Sequence, residues 1–164
     1  MRILGIDPGF AIVGYGVIDY NKNKFEVVEY GAITTEAGEE MNSRFKTIHD
    51  DLNTIINRTN PDFMAIEQLY FNSNQKTAIN VAQARGVLLL SALNHDIRVA
   101  EYTPLQVKQA VVGYGRADKK QVQLLVKSML GLDAVPKPDD AADALAIAVC
   151  HAHSYNPRTQ ILGL

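Results

Sequence analysis

Strand-like apolar segments open this chain and then alternate with helical ones. Three strand patterns with short connections, at 2–7, 13–20 and 25–33, predict an antiparallel meander. Two more, at 63–67 and 97–102, each follow a long helical pattern, and a strand that follows a helix usually returns parallel to an earlier strand. The order therefore predicts an α/β protein with a five-stranded mixed sheet flanked by helices.

Five helical segments are predicted, at 39–58, 76–94, from Pro104, at 118–130 and at 142–153. The first repeats apolar residues at steps of three and four, which gives it one apolar face. The second has a broader apolar face, which also suits burial against a partner subunit. The last is rich in alanine and can therefore lie close against a sheet.

Length and composition limit the class of protein. A chain of 164 residues suits one domain spanning 1–164, and we expect 154–164 to form a loosely ordered tail. No apolar run is long enough to span a membrane, and the N-terminus lacks a signal-peptide pattern. The single cysteine, Cys150, favours a cytoplasmic location. The net charge of −2 does not itself indicate nucleic-acid binding, but it can average a basic face and an acidic pocket.

Two of the predicted strands end in an acid. Asp7 follows an apolar strand, and Pro8 and Gly9 then direct the chain into a turn. Glu67 ends the strand at 63–67 in the same way. If these strands are parallel neighbours, both carboxylates emerge at the same edge of the sheet. The alternative for Asp7 is that Asp-Pro-Gly is only a turn.

A second pair of acids begins the last helix. Asp140 and Asp143 are three residues apart, so they share one helix face in a first turn whose dipole favours negative charge. Simple N-terminal capping is the alternative, although Asp139 already offers a capping acid. Asp143 lies one turn further in among alanines, where an unpaired carboxylate would be costly to bury.

Four converging carboxylates would repel one another unless cations held them together. Mg²⁺ prefers oxygen ligands, and two such ions can clamp the attacking and leaving oxygens of a phosphodiester. The acids therefore predict metal-assisted phosphodiester hydrolysis. A structural Ca²⁺ site is another use of such acids, but no loop has the spacing for one.

The chain resembles the RuvC family of bacterial Holliday junction resolvases in motifs that run in order to about His153. These are Ile3-Leu4-Gly5-Ile6-Asp7-Pro8-Gly9, Gly14-Tyr15-Gly16, Ala65-Ile66-Glu67-Gln68, Gln83-Ala84-Arg85-Gly86, Gln106-Val107-Lys108-Gln109 and Asp140-Ala141-Ala142-Asp143-Ala144-Leu145-Ala146. The resemblance implies a ribonuclease-H-like fold, a homodimer, and paired symmetric nicks across a four-way DNA junction in recombination and repair. It also implies a RuvA–RuvB branch-migration complex as partner.

The resemblance further implies the catalytic set. Two Mg²⁺ ions per active site, with Mn²⁺ as a possible substitute, would be held by Asp7, Glu67, Asp140 and Asp143. Two equivalent cuts need two equivalent sites, so we expect a dimer with twofold symmetry. We expect this dimer to form through the helix at 76–94.

Basic residues crowd one region of an otherwise near-neutral chain: Lys108, Arg116, Lys119, Lys120 and Lys127. They can form a solvated helical face, or a DNA surface that neutralises phosphates. The resemblance implies that Lys108 and Lys119 lie near the scissile phosphate and are needed for cleavage. We expect Arg116 and Lys120 to contact DNA as well.

Two aromatic residues, Tyr70 and Phe71, follow Glu67 closely. They can stack on unpaired bases, or one of them can fill the core. The resemblance implies an aromatic side chain here that helps to open the junction centre. Tyr70 is the direct match, although the family usually has Phe there, and Phe71 can share or take the role.

Several features keep more than one interpretation. Gly14 and Gly16 indicate close approach of a ligand or backbone, or a tight contact between sheet and helix. The four histidines, His49, His95, His151 and His153, are of a type that serves as metal ligand or general base, but we expect them to be structural or to belong to the tail. A nucleotide-binding switch of the actin-like type and a junction-binding module without activity are the rival functions, and a metal-dependent nicking assay separates all three.

Overall fold

The computed structural model describes residues 1–69 and 75–155. It confirms the predicted order of elements. The strands are β1 (Arg2–Asp7), β2 (Ile12–Asn21), β3 (Lys24–Thr34), β4 (Phe63–Glu67) and β5 (Arg98–Tyr102). The helices are α1 (Met41–Thr59), α2 (Gln75–Asn94), α3 (Pro104–Val112), α4 (Lys119–Met129) and α5 (Asp139–Ser154).

The five strands form one mixed sheet in the order β3-β2-β1-β4-β5. β2 pairs antiparallel with β1 and β3, as the short connections predicted. β4 pairs parallel with both β1 and β5, with Ile6 opposite Ile66. The parallel return after a helix is therefore confirmed, and β1 and β4 end at the same edge of the sheet.

Helices cover both faces of the sheet, which gives two apolar cores. Leu4, Ile6 and Met64 belong to the core under α1 and α2. Ile3 and Ala65 belong to the other core, which α3, α4 and α5 cover. Because side chains alternate along a strand, the terminal acids of β1 and β4 share the face of Ile3 and Ala65. Both acids are thus directed toward the side of the sheet that carries α5.

Glycines bring α5 unusually close to β1 and β2. A Cβ on Gly5 would lie 2.0 Å from the carbonyl oxygen of Ala144, and one on Gly14 would lie 2.0 Å from that of Asp140. A Cβ on Gly16 would meet the Leu145 side chain at 2.6 Å. No side chain fits between helix and sheet at these points. Of the two interpretations of Gly14 and Gly16, the structure shows the tight sheet–helix contact.

Capping fixes where α3 and α4 begin. Thr103 accepts a hydrogen bond from the Gln106 backbone N–H, and the Gln106 side chain accepts one from the Thr103 backbone, so the pair forms a capping box. Asp118 and Gln121 form the same arrangement at the start of α4. Both starts agree with the sequence.

The predicted aromatic pair and most of the predicted C-terminal tail are not among the described residues. Tyr70 and Phe71, and residues 156–164 of the predicted tail, lie outside the described residues. Ser154 is the last residue of α5, and the Tyr155 ring packs on Phe63, so the first two residues of that tail belong to the fold. Among the helices of the described chain, none combines the length and hydropathy needed to span a bilayer.

Candidate active site

The acids that end β1 and β4 lie side by side at one edge of the sheet. The parallel pairing of these strands reaches Ile6 and Ile66, and Asp7 and Glu67 each come one residue later. The α5 helix crosses the same face, with its first turn over Gly14 of β2. The acids in that turn are therefore brought to the edge where β1 and β4 end.

A cavity of about 250 Å³ joins three of the four predicted acids. Its lining consists of carboxylates, lysines and small apolar side chains: Asp7, Glu67, Pro104, Val107, Lys108, Lys119, Val122, Asp143 and Ala146. Asp140 does not line this cavity, but its charge contributes to the raised pKa of Asp7. Residues far apart in the chain thus form one acidic site, as the sequence predicted.

The carboxylates perturb one another strongly. Burial, together with the negative charges of Asp143, Glu67 and Asp140, raises the pKa of Asp7 to about 8. Burial also raises the pKa of Glu67 and of Asp143. Burial and mutual repulsion make the ionised form of these acids unfavourable, and the positive charges of the protein do not fully offset this cost. Such a cluster favours an added cation.

Two lysines supply positive charge inside the cavity. Lys119 Nζ lies 2.8 Å from Asp143 Oδ2, and this ion pair lowers the pKa of Asp143 against the effect of burial. Lys108 lies close enough to Glu67 for its charge to lower the pKa of that acid. Arg116 and Lys120 do not line the cavity; Arg116 is exposed in the connection between α3 and α4, and Lys120 is exposed in the first turn of α4. Of the four basic residues predicted to contact DNA, two therefore line the cavity and two are exposed outside it.

The donor set fits a hard divalent cation. Carboxylate oxygens are the ligands that Mg²⁺ prefers, and the acids of this cavity repel one another in its absence. Within residues 1–69 and 75–155, no three acidic, histidine or cysteine side chains are gathered tightly enough to enclose an ion in this conformation. The Lys119 ammonium occupies one side of Asp143 instead. Side-chain rearrangement from this conformation would be needed to complete a metal site.

The histidines near the end of α5 have structural partners. The Tyr102 hydroxyl lies 2.8 Å from Nδ1 of His151, whose ring is buried against Phe63. His153 Nδ1 lies 3.1 Å from the Ala110 carbonyl oxygen. These contacts agree with the structural role expected from the sequence.

Sequence reasoning missed one contact to the site. The Arg85 Nε–H of α2 donates to the backbone carbonyl of Glu67 at 3.3 Å. The only signal in the sequence was the segment Gln83-Ala84-Arg85-Gly86, which matched the family without indicating a role for the arginine.

Comparisons with known proteins agree with this geometry. The model of the family described as crossover junction endodeoxyribonuclease RuvC matches residues 3–151. The crossover junction endodeoxyribonuclease RuvC of Alkaliphilus oremlandii is 61% identical over 156 residues, which cover 95% of each chain. A solved Thermus thermophilus RuvC is 35% identical with a TM-score of 0.87, over 93% of this chain and 94% of that one.

A second T. thermophilus RuvC structure, in complex with a Holliday junction substrate, is 36% identical with a TM-score of 0.89, over 93% of each chain. The family match covers nearly the whole sheet and all four acids. The chain therefore belongs to the RuvC family of crossover junction endodeoxyribonucleases.

Proposed function

We propose that this protein is a Mg²⁺-dependent endonuclease that resolves four-way DNA junctions by paired symmetric nicks in recombination and repair. The observation that supports this most directly is the shared cavity of Asp7, Glu67 and Asp143, in a chain that belongs to the RuvC family. The T. thermophilus relative binds a Holliday junction substrate.

We infer that Asp7, Glu67, Asp140 and Asp143 are the ligands of two Mg²⁺ ions, for which Mn²⁺ can substitute. When bound, such ions supply an activated water on one side of the phosphodiester and stabilise the leaving oxygen on the other. The protein contributes a partly buried cavity in which charge is weakly screened. It also fixes the separation of the acids, because Asp7 and Glu67 end adjacent strands and α5 contacts β1 and β2 through glycines.

The lysines of the cavity suit the phosphate. Lys108 and Lys119 face the same space as the acids, so each can place an ammonium group against a phosphate oxygen. Positive charge held there stabilises the negative charge that builds up during phosphodiester cleavage. Arg116 and Lys120 are exposed and lie within three residues of Lys119 in the chain, and they are proposed to bind flanking phosphates. Tyr70 and Phe71 are proposed to stack on bases.

The outer face of α2 supports the proposed homodimer. Ile79, Leu90 and Leu93 are 59%, 55% and 61% exposed, and with Gln83 and Gly86 they lie at the spacing of one helix face. A Cβ on Gly86 would meet no heavy atom within 4 Å, so packing within the protomer does not require glycine there. A glycine in mid-helix, which costs about 1 kcal/mol relative to alanine, suits close approach of a partner helix.

A charge placed on this face tests the dimer. Leu90→Glu should convert the protein from dimer to monomer in light scattering coupled to size exclusion, because a buried carboxylate would lack a partner. Leu124→Glu on α4 is the matched control, since Leu124 is 56% exposed on another helix. A monomeric wild type, or equal dissociation of both variants, would contradict the α2 interface.

The remaining assignments rest on the family and on composition. A RuvA–RuvB complex is proposed as the branch-migration partner, and a cytoplasmic location as the setting. We also propose that residues 1–164 act as one nuclease domain. The buried, unpaired Cys150 agrees with a reducing compartment.

A nicking assay tests the activity. Purified protein, a mobile four-way junction and Mg²⁺ should yield paired nicks at symmetric positions, leaving 5′ phosphates. Asp7→Asn should bind the junction and not cut it. Equal cutting of linear duplex would refute junction selectivity. Nicking that persists in EDTA would refute the metal requirement, and binding without any cutting would identify a junction-binding module.

A further inference from the structure

Both polar groups of one peptide at the active site are fixed by other elements. The peptide that joins Glu67 to Gln68 follows the last pair of the β4–β5 ladder. Its N–H, on Gln68, donates to the Tyr102 carbonyl of β5 at 2.8 Å. Its carbonyl, on Glu67, accepts from Arg85 Nε of α2 at 3.3 Å. The plane of this peptide, and with it the backbone that carries the Glu67 side chain, is thus held from two sides.

Arg85 reaches two acceptors with one guanidinium group. Besides the Glu67 carbonyl, its Nη2 lies 2.7 Å from Glu101 Oε2 of β5, in an ion pair that is not aligned as a hydrogen bond. The planar fork of arginine suits two acceptors at different directions, which the single ammonium of lysine does not. The side chain therefore links α2 to the ends of both β4 and β5.

The attachment of α2 to the sheet does not depend on this link. Ala84, Leu88 and Ala92 of α2 are fully buried in the core under that face of the sheet. The helix should therefore stay in place when Arg85 is changed. What is lost is the donor to the Glu67 carbonyl, together with the partner of Glu101.

The Arg85 side chain is only 16% exposed, whereas Arg58, in a comparable helix-to-strand pair with Glu29, is 52% exposed. A cation that is largely removed from water is retained at a desolvation cost, and exposed pairs contribute little to stability. The largely buried position of Arg85 therefore indicates a role beyond that of an exposed ion pair in folding stability.

We propose that Arg85 is a positioning residue for Glu67: by fixing the Glu67–Gln68 peptide, it holds the Glu67 carboxylate in the cavity with Asp7 and Asp143. This proposal rests on the proposed function, since it takes Glu67 to be a metal ligand. Arg85 does not line the cavity; its contacts are with the Glu67 carbonyl and the Glu101 carboxylate. It acts through the geometry of a ligand, and partners of this kind typically change metal affinity or activity by about 10- to 100-fold when they are removed.

The test measures metal binding apart from catalysis. Mg²⁺ should raise the melting temperature of the DNA-free protein, because it binds the folded state. Arg85→Met should increase the Mg²⁺ concentration for half of this rise by about 10-fold or more, with a similar increase in the concentration for half-maximal nicking. Junction binding in EDTA should be unchanged. Arg58→Met is the matched control, since it removes the bidentate α1–β3 pair with Glu29 and should leave the Mg²⁺ midpoint unchanged.

A second variant separates the two contacts of Arg85. Glu101→Gln removes the ion pair but leaves Arg85 able to donate to the Glu67 carbonyl, so it should change the Mg²⁺ midpoint much less than Arg85→Met. An equal effect of both variants would overturn the proposal. If Arg85→Met does not fold, Arg85→Lys carries the test and should shift the midpoint in the same direction. An unchanged midpoint in the folded Arg85 variant overturns the positioning role, whereas a wild type that fails to nick junctions overturns the proposed function.

Discussion

Replacing Asp7 by asparagine should stabilise the metal-free protein at neutral pH, although it removes one of the acids of the proposed active site. The pKa of Asp7 is raised to about 8 in the folded state, against 3.8 for an ordinary aspartate. When the folded pKa of an acid is raised, its unfavourable contribution is absent below the unfolded pKa and grows until the pH reaches the folded pKa. The wild type therefore loses stability relative to Asp7→Asn as the pH rises from 4 to 8.

The size of the effect follows from the same shift. Each pH unit above 3.8 costs about 1.36 kcal/mol until the folded pKa is reached, which comes to about 4 kcal/mol at pH 7. This is an upper limit, because the neighbouring carboxyls share their protons with Asp7 and the cavity can relax. We expect Asp7→Asn to be more stable than the wild type by about 2–4 kcal/mol at pH 7 in EDTA, and to match it near pH 4.

Urea unfolding at fixed protein concentration, from pH 4 to pH 8, measures this difference. Saturating Mg²⁺ should stabilise the wild type and not Asp7→Asn, so the gap should narrow or reverse. Asp51→Asn, which removes an exposed carboxylate of α1, is the control and should change stability by less than about 0.5 kcal/mol at any pH. An Asp7→Asn variant that is no more stable than the wild type in EDTA, or a gap that does not depend on pH, would refute the account of mutually repelling acids.

Three further changes test other parts of the structure. Gly14→Ala should cost about 1–3 kcal/mol in urea unfolding and slow nicking at least tenfold, because the added methyl would collide with the Asp140 carbonyl; full activity would contradict the tight contact. Lys119→Met should reduce the nicking rate by about 100-fold or more with junction binding in gel shifts retained, as expected for loss of one charge-stabilising group. Burial lowers the pKa of His151 from 6.5 to about 4, so the folded protein is destabilised as the pH falls below 6.5, where the unfolded chain takes up the proton first. The wild type should lose about 2 kcal/mol of unfolding free energy between pH 6.5 and pH 5 from this cause, and His151→Gln should not. Equal losses in both proteins in urea titrations would argue against this role of His151.

The positions of the acids along the fold could be predicted because each is tied to a local pattern. A short apolar strand that ends in Asp7 or Glu67 predicts that the acid lies at the edge of the sheet. The helix between the two strands predicts that they pair in parallel. The three-residue spacing of Asp140 and Asp143 likewise places both on one helix face. These are properties of single segments, and single segments are what a sequence shows directly.

The fine structure of the site could not be predicted in the same way. The sequence predicted both Asp140 and Asp143 as metal ligands, but only Asp143 lines the cavity with Asp7 and Glu67. That difference depends on how far α5 is placed along β1 and β2, which glycine contacts between distant segments determine. The ion pair between Lys119 and Asp143 depends on the packing of α4 against α5, for which no local pattern exists.

Arg85 was missed for a related reason. Its two partners, the Glu67 carbonyl and the Glu101 carboxylate, lie on β4 and β5, one before and one after α2 in the sequence and both distant from Arg85. One of them is a backbone atom, which carries no signature in the amino-acid sequence. Side chains that act on the main chain of a distant residue are therefore the contacts that sequence patterns are least able to reveal.

The direct contact of α5 with Gly5 and Gly14 has a consequence for how this enzyme tolerates change. Main-chain atoms, rather than the rotamers of core side chains, set the distance between the acids of α5 and those that end β1 and β4 in the proposed active site. Exchanges among aliphatic residues elsewhere in the interior should therefore alter folding energy without retuning catalysis. One methyl group added beneath the helix should therefore disturb the proposed metal site more than repacking of the entire core.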